Sequence, residues 1–311
     1  MNAYDHPLSA DLLISTRQLT KRFGKKLAVN IDTSRVFRGS VYGLVGPNGA
    51  GKSTYLRLLA GVYKPDSGLC QIDNEPIWEH PAAKQRILFL PDQPAFLKHA
   101  SLKEMQKIYR QLYPNFNSAI YLELLQTFQL NENVPLKTFS KGMQRQAALC
   151  LVIACRPDLL LLDEAFDGLD PVMRQVLKKI IIRLVSEHNL SVVISSHNLR
   201  ELEDLCDFVG LMHEGRILIE QDLDDLKLGI NRVQVAWEDP TAIQELSQLN
   251  IVSQSRRGSI YDLVIKGRQE DIIKQIRLTT PLLLDILPLS LEEIFIQTME
   301  VNGYDIQHIF S

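Results

Sequence analysis

No stretch of the 311 residues approaches the roughly eighteen uninterrupted apolar positions that a membrane-spanning helix needs. If the protein works at a membrane, another chain must supply the spanning part. The opening residues, MNAYDHPLSADLLISTRQL, lack a basic segment followed by an apolar one and do not read as a signal peptide. Neither sign of charge is in excess: 34 Lys and Arg stand against 37 Asp and Glu, a formal −3, without blocks. That balance advertises neither nucleic acid nor anionic lipid as a partner. Cysteine is scarce, with Cys70, Cys150, Cys155 and Cys206 and no CxxC pair. Cys150 and Cys155 fall within an apolar helical run and read as small core residues, so the expectation is a reduced, cytosolic chain without a cysteine metal site. Internal repeats and low-complexity tracts are missing too.

What is present is 45% apolar and 23% charged residues, enough for a large domain and a small one, each with a core. Positions from Leu12 to Val45 alternate apolar and polar around turn-like spots at Gly24–Lys25 and Arg38–Gly39. They predict a small antiparallel sheet leading into a strand at Val41–Val45. From Ser101 the pattern turns helical. Ser101 and Glu104 make a capping box, with Met105, Ile108, Tyr109 and Leu112 on one face. A second helix carries Tyr121, Leu124, Leu125 and Phe128. The segment from about Leu97 to Leu136 reads as a helical insertion into an α/β core.

The α/β pattern then resumes. Leu159–Leu162 is a short continuous apolar run, as expected of a strand buried on both faces. Met173, Val176, Leu177, Ile180, Ile181 and Leu184 make an amphipathic helix, and Ser191–Ile194 is another buried strand. Strand, helix, strand implies a parallel sheet. Further on, Val233, Val235 and Trp237 alternate, as do Tyr261, Leu263 and Ile265 after a turn at Arg257–Gly258. Ser290 and Glu293 cap a last helix. The expected layout is a tail (1–12), an α/β domain (13–227, its helical subdomain about 97–157) and a small α+β domain (228–311).

Gly46-Pro47-Asn48-Gly49-Ala50-Gly51-Lys52-Ser53-Thr54 fits the phosphate-binding pattern GxxxxGK[ST] between a strand and a helix. Its glycines let backbone N–H groups wrap a phosphate, and the helix N-terminus adds partial positive charge. Lys52 would reach the β- and γ-phosphates, and the Ser53 hydroxyl would ligate Mg²⁺. Leu159–Leu162 ends in Asp163-Glu164, at the strand end where α/β sheets bind ligands. Asp163 would hold Mg²⁺, and Glu164 would polarise the attacking water.

Phe139-Ser140-Lys141-Gly142-Met143-Gln144, just upstream of that strand, resembles the LSGGQ signature of ATP-binding-cassette ATPases. Ser140 and Gly142 match; Lys141 and Met143 replace a glycine and a glutamine. Alone, Ser140 would read as a helix N-cap. The SKGM form resembles the drug, lantibiotic and sodium exporter branch. Gly168-Leu169-Asp170-Pro171 resembles the D-loop, His197 the switch histidine, and Phe23 the aromatic that stacks on adenine. One element departs: by register Asp92 stands where the family has a glutamine, and Gln93 follows it. The sequence leaves open which of the two reaches the Mg²⁺ site. The match runs from about Leu13 to Ile219, and LSLEEIF (Leu289 to Phe295) resembles the end of that branch's C-terminal extension.

The resemblance implies a P-loop NTPase core with an antiparallel β subdomain and a helical subdomain. It implies hydrolysis of ATP with Mg²⁺, with Lys52, Glu164 and His197 catalytic. The phosphate loop, Phe23, Ser140, Gly142 and Asp170 would bind nucleotide. Since one chain carries one set of motifs, a second copy or a sister subunit would pack head to tail with it. A separate polytopic membrane permease would hold it at the inner face of the membrane. The alternative is a soluble cassette ATPase acting on ribosomes or DNA. Translation factors of that kind usually carry two cassettes, and chromosome ATPases a long coiled coil; neither is present.

Overall fold

The computed structural model describes residues 11–287 and 289–301. Residues 1–10 of the expected tail and 302–311 of the expected C-terminal domain lie outside the described residues. The chain divides into two compact units, one ending at Glu220 and one starting at Gln221.

The first unit opens with the hairpin β1 (Leu12–Phe23) and β2 (Lys26–Phe37), then β3 (Val41–Val45), α1 (Lys52–Leu59), β4 (Ser67–Ile72), β5 (Glu75–Pro76), α2 (Pro81–Gln85) and β6 (Ile87–Leu90). Three helices follow: α3 (Leu102–Leu112), α4 (Ser118–Thr127) and α5 (Lys141–Ala154). Then come β7 (Leu159–Asp163), α6 (Pro171–His188), β8 (Ser191–Ser196), α7 (Leu199–Leu202) and β9 (Phe208–His213), with β10 (Arg216–Asp222) running across the boundary.

The first sheet has the order β2-β1-β4-β5, with β1 antiparallel to both β2 and β4. The second has the order β10-β9-β3-β8-β7-β6, and its β3–β8, β3–β9, β7–β8 and β6–β7 pairs are parallel. Every residue of β3, β7 and β8 is buried, which is why apolar stretches form their centres, with Asp163 and the serines of β8 at the strand ends. Helix α1 joins the two sheets: its Tyr55, Leu56, Leu58 and Leu59 share one core with Leu13, Ile31 and Ile72 on one side and Leu159, Leu161 and Val193 on the other. Register puts Val45 beside Ser196 and Asp163 beside Ser195, so three strand ends meet at one edge.

The Ser101–Glu104 capping box opens α3, where Glu104 Oε2 accepts from the Ser101 N–H at 2.7 Å. Leu112, expected on one face with Met105, Ile108 and Tyr109, is 58% exposed. The helix stops there because Tyr113 is extended ahead of Pro114, and fully buried apolar positions occur only in its first turn, Leu102 and Met105. Helix α4 buries Tyr121, Leu124 and Leu125 as its period predicts.

The second unit comprises α8 (Leu223–Leu228), β11 (Ile230–Ala236), a 3₁₀ segment (Pro240–Gln248), β12 (Asn250–Arg257), β13 (Ile260–Lys266), α9 (Gln269–Leu278), β14 (Leu283–Leu287) and α10 (Leu291–Val301). Its antiparallel sheet, ordered β12-β13-β11-β14, is a split β-α-β arrangement. Val233, Val235, Leu263 and Ile265 pack there with Ile272 and Ile276 of α9. On α10, Glu293 accepts from the Ser290 N–H and from the Arg232 guanidinium, both at 2.9 Å, and Arg232 also pairs with Asp262. Among the described residues no helix is long and apolar enough to cross a membrane.

Candidate active site

The chain leaves β3 at Val45 and enters α1 at Lys52 through a tight loop. At Gly51 φ is +110°, and a Cβ would lie 2.5 Å from the Ala28 carbonyl oxygen, so only glycine fits. The loop is pinned by the Ala50 N–H on the Pro47 carbonyl (3.1 Å) and the Gly215 N–H on that of Ala50 (2.7 Å). Asn48 and Gly49 face solvent. No side chain caps α1, which leaves its first N–H groups and its dipole for an anion. Ser53 and Thr54 lie half-buried in its first turn. Lys52 is only 5% exposed; its ammonium donates to the Gly46 carbonyl (2.6 Å) and the Pro47 carbonyl (3.3 Å) and stands 3.2 Å from Glu164 Oε1. Its charge is thus held inside the loop by oxygen atoms alone.

Opposite, at the end of β7, Asp163 is 1% exposed. Its Oδ1 accepts from the hydroxyls of Ser53 (3.0 Å) and Ser195 (2.8 Å), while its Oδ2 is buried with no hydrogen-bond partner among the described residues. Glu164 has φ +49°, in the left-handed region. Its N–H donates to the carbonyl (3.2 Å) and hydroxyl (3.1 Å) of Ser195. Glu164 Oε2 accepts from the His197 N–H at 3.3 Å and lies 3.0 Å from His197 Nδ1. The carboxylate is thus clamped between an ammonium and an imidazole at the mouth of the phosphate loop. That arrangement can bind a polyphosphate and take a proton from water beside it.

The structure brings together Gly46 through Thr54, Asp163, Glu164 and His197. The other expected residues stand as follows. The Ser140 hydroxyl is exposed and caps α5 through the Met143 N–H (3.2 Å). Gly142 packs so close to Gly168 that a Cβ would lie 2.9 Å from its carbonyl oxygen. Asp170 caps α6 through the Val172 and Met173 N–H groups. Phe23 lies at the β1–β2 turn, 46% exposed, edge-on to Tyr63 with ring centroids 5.4 Å apart. Asp92 gives its carboxylate to Arg145 at 2.6 Å, and Gln93 is exposed.

Two residues here went unread in the sequence. Ser195, which ties Asp163 to the Glu164 backbone, looks like any strand serine. Arg145 did carry a signal: it shares its helix face with Ala148, Leu149 and Val152, all buried, and a charge on such a face needs a partner.

The sequence model of the family described as "ABC transporter" matches residues 29–167. The chain is 31% identical over 284 residues, 91% of its length and 97% of the relative's, to "ABC transporter ATP-binding protein YtrB" of Bacillus subtilis (strain 168). It is 34% identical over 218 residues to "Bacitracin transport ATP-binding protein BcrA" of Bacillus licheniformis, covering 69% of this chain and 71% of that one. A solved "ATP binding subunit of ABC transporter" superposes with a TM-score of 0.64 at 26% identity, over 69% of this chain and 92% of the other. With similarity along nine-tenths of its length, and a phosphate loop facing an acid pair and a histidine, the chain belongs to the ATP-binding proteins of ABC transporters and is an ATPase of that family.

Proposed function

We propose that this ATPase powers export through a separate polytopic membrane partner, working as a head-to-tail pair with a second copy or a sister subunit at the inner face of the membrane. The observation that carries the catalytic part is the Lys52–Glu164–His197 array at the phosphate loop. Lys52 exchanges its loop carbonyls and Glu164 for phosphate oxygens when ATP enters. Glu164, released from Lys52 and still held by His197, orients the attacking water and takes its proton.

The residues fit a divalent cation, since Asp163, whose Oδ1 takes the Ser53 hydroxyl, keeps a buried Oδ2 without a hydrogen-bond partner among the described residues. Ser53 and Asp163 would hold Mg²⁺, which supplies positive charge to the phosphate oxygens. With its carboxylate on Arg145, Asp92 is not part of the proposed ligand set.

Pairing follows from stoichiometry. The chain has one phosphate loop and one signature segment, and Ser140 and Lys141 present an exposed helix start to a neighbour. ATP held between two such faces favours the closed pair, and hydrolysis removes that preference, which can move an attached partner. Export is supported by the SKGM form of the signature and by the relative named for bacitracin transport.

The test is to tag the Glu164→Gln chain, purify it with ATP from detergent-solubilised membranes of its own host, and identify what accompanies it. A stoichiometric polytopic membrane protein is expected. Ribosomes or DNA without one would overturn the partner and leave the ATPase standing.

A further inference from the structure

Arg145 is 6% exposed, and a buried guanidinium is costly unless its donors are met and its charge is paired. Nη1 donates to the backbone carbonyls of Glu164 (2.9 Å) and Asp167, and Nη2 to the carbonyl and the carboxylate of Asp92 (2.6 Å to Oδ1). One side chain of α5 therefore ties together the turn after β6 and the turn after β7. The second of these carries Glu164 in a left-handed backbone conformation, which persists only where neighbours hold it. Ser195 holds its N–H side, and Arg145 holds its carbonyl side.

We propose that Arg145 is a positioning residue for hydrolysis, and that its ion pair with Asp92 makes the aim of the Glu164 carboxylate depend on where the turn after β6 stands. The inference rests on the reading of Glu164 as the base. If the turn after β6 is displaced, Asp92 moves with it. The guanidinium then follows the carboxylate, or stays behind unpaired, and the Glu164 carbonyl loses or changes its anchor. An acid at position 92 makes this coupling ionic. Motion of the helical segment, which follows that turn, would thereby reach the hydrolytic group without any contact to nucleotide.

A double-mutant cycle on the full-length chain tests it, with steady-state ATPase kinetics and thermal unfolding on each variant. Arg145→Gln is expected to lower kcat by about 10–100-fold, the scale of an ångström-level misplacement, and to leave KM for MgATP within about threefold. Asp92→Asn is expected to lower kcat by about tenfold. The double variant is expected to be no slower than Arg145→Gln alone, because residues acting as one unit are not additive. A double-variant loss equal to the product of the single losses would overturn the proposal. So would a wild-type kcat in Arg145→Gln, or a loss confined to KM. If Arg145→Gln gives no cooperative unfolding transition, Arg145→Lys takes its place: one ammonium cannot reproduce the fork, and the same kcat pattern is expected. Glu164→Gln run alongside separates the two failures. If it turns over like wild type, the reading of Glu164 fails; if it is inactive and the cycle is additive, only the role of Arg145 fails.

Discussion

Removing a single carboxylate oxygen probes the chemistry most directly, because Glu164→Gln keeps the volume and the acceptor for the His197 N–H. It is expected to slow hydrolysis by about 10²–10⁴-fold, the worth of a general base, with ATP affinity retained; a wild-type rate would remove Glu164 from that role. Lys52→Ala takes away the only charge buried inside the loop and is expected to weaken nucleotide binding, read by equilibrium titration. Away from the site, half-buried Glu220 packs its carboxylate against Tyr42, whose hydroxyl donates to it at 2.7 Å, and Ser34, which donates at 2.5 Å. Burial pushes its carboxyl above the ordinary range, and the hydrogen bonds from Ser34, Tyr42 and the Arg35 N–H only partly oppose that. A raised folded value means that Glu220 favours folding fully below about pH 4.3, the ordinary glutamate value, and that this contribution is lost as pH rises through the folded value. Glu220→Gln keeps the acceptor and cannot ionise. Urea midpoints are therefore expected to show it gaining on wild type from pH 4 to pH 7; a difference that does not change with pH would refute the assignment. The motif residues were legible because phosphate binding demands fixed spacing of glycine, lysine and hydroxyl. Ser195 and Arg145 act through backbone atoms of distant segments, and spacing along the chain does not encode those meetings.

At the level of elements, legibility followed burial. The strands β3, β7 and β8 are buried at every position, and apolar stretches mark them: VYGLV, the four leucines of β7 and Val192–Ile194 in β8. The strand β4 reads SGLCQI, with Ser67, Gly68 and Leu69 exposed, and β5 is a two-residue Glu75–Pro76 edge. Their pairing is set by the neighbouring strand, β1 for β4 and β4 for β5, not by a pattern of their own, and neither is legible in the sequence. Helical periodicity carries α4, whereas on α3 the face of Met105, Ile108, Tyr109 and Leu112 is covered at Met105 and open at Leu112. Periodicity names a face; neighbouring chain decides how far along the helix that face is covered. Two leucines of α4 make the point measurable. Leu124 is 1% exposed and Leu122 is 54% exposed. Leu124→Ala is expected to cost roughly 2–5 kcal/mol in urea unfolding, whereas Leu122→Ala stays within about 0.5 kcal/mol. Equal costs would mean that Leu122 is covered in solution.

On the scale of the whole molecule, every residue of the proposed nucleotide site lies in the first unit, and the second has its own core around Val233, Val235, Leu263 and Ile265. A ligand stabilises what binds it, by about 2.7 kcal/mol at a hundred times Kd, and nothing that unfolds independently. The chain carries its own reporters, with two tryptophans, Trp78 in the first unit and Trp237 in the second. Trp237 is buried, and its indole N–H donates to Thr279 Oγ1 at 2.7 Å, so its fluorescence follows that core. Melting Trp237→Phe and Trp78→Phe variants separately is expected to give two transitions. Saturating ATP and Mg²⁺ are expected to raise the midpoint of the Trp78 transition and to leave that of Trp237 in place. If both midpoints rise together by the same amount, the two cores unfold as one cooperative body. Binding energy at the phosphate loop would then be available to the second unit, and its task would have to be sought within the ATP cycle, not beside it.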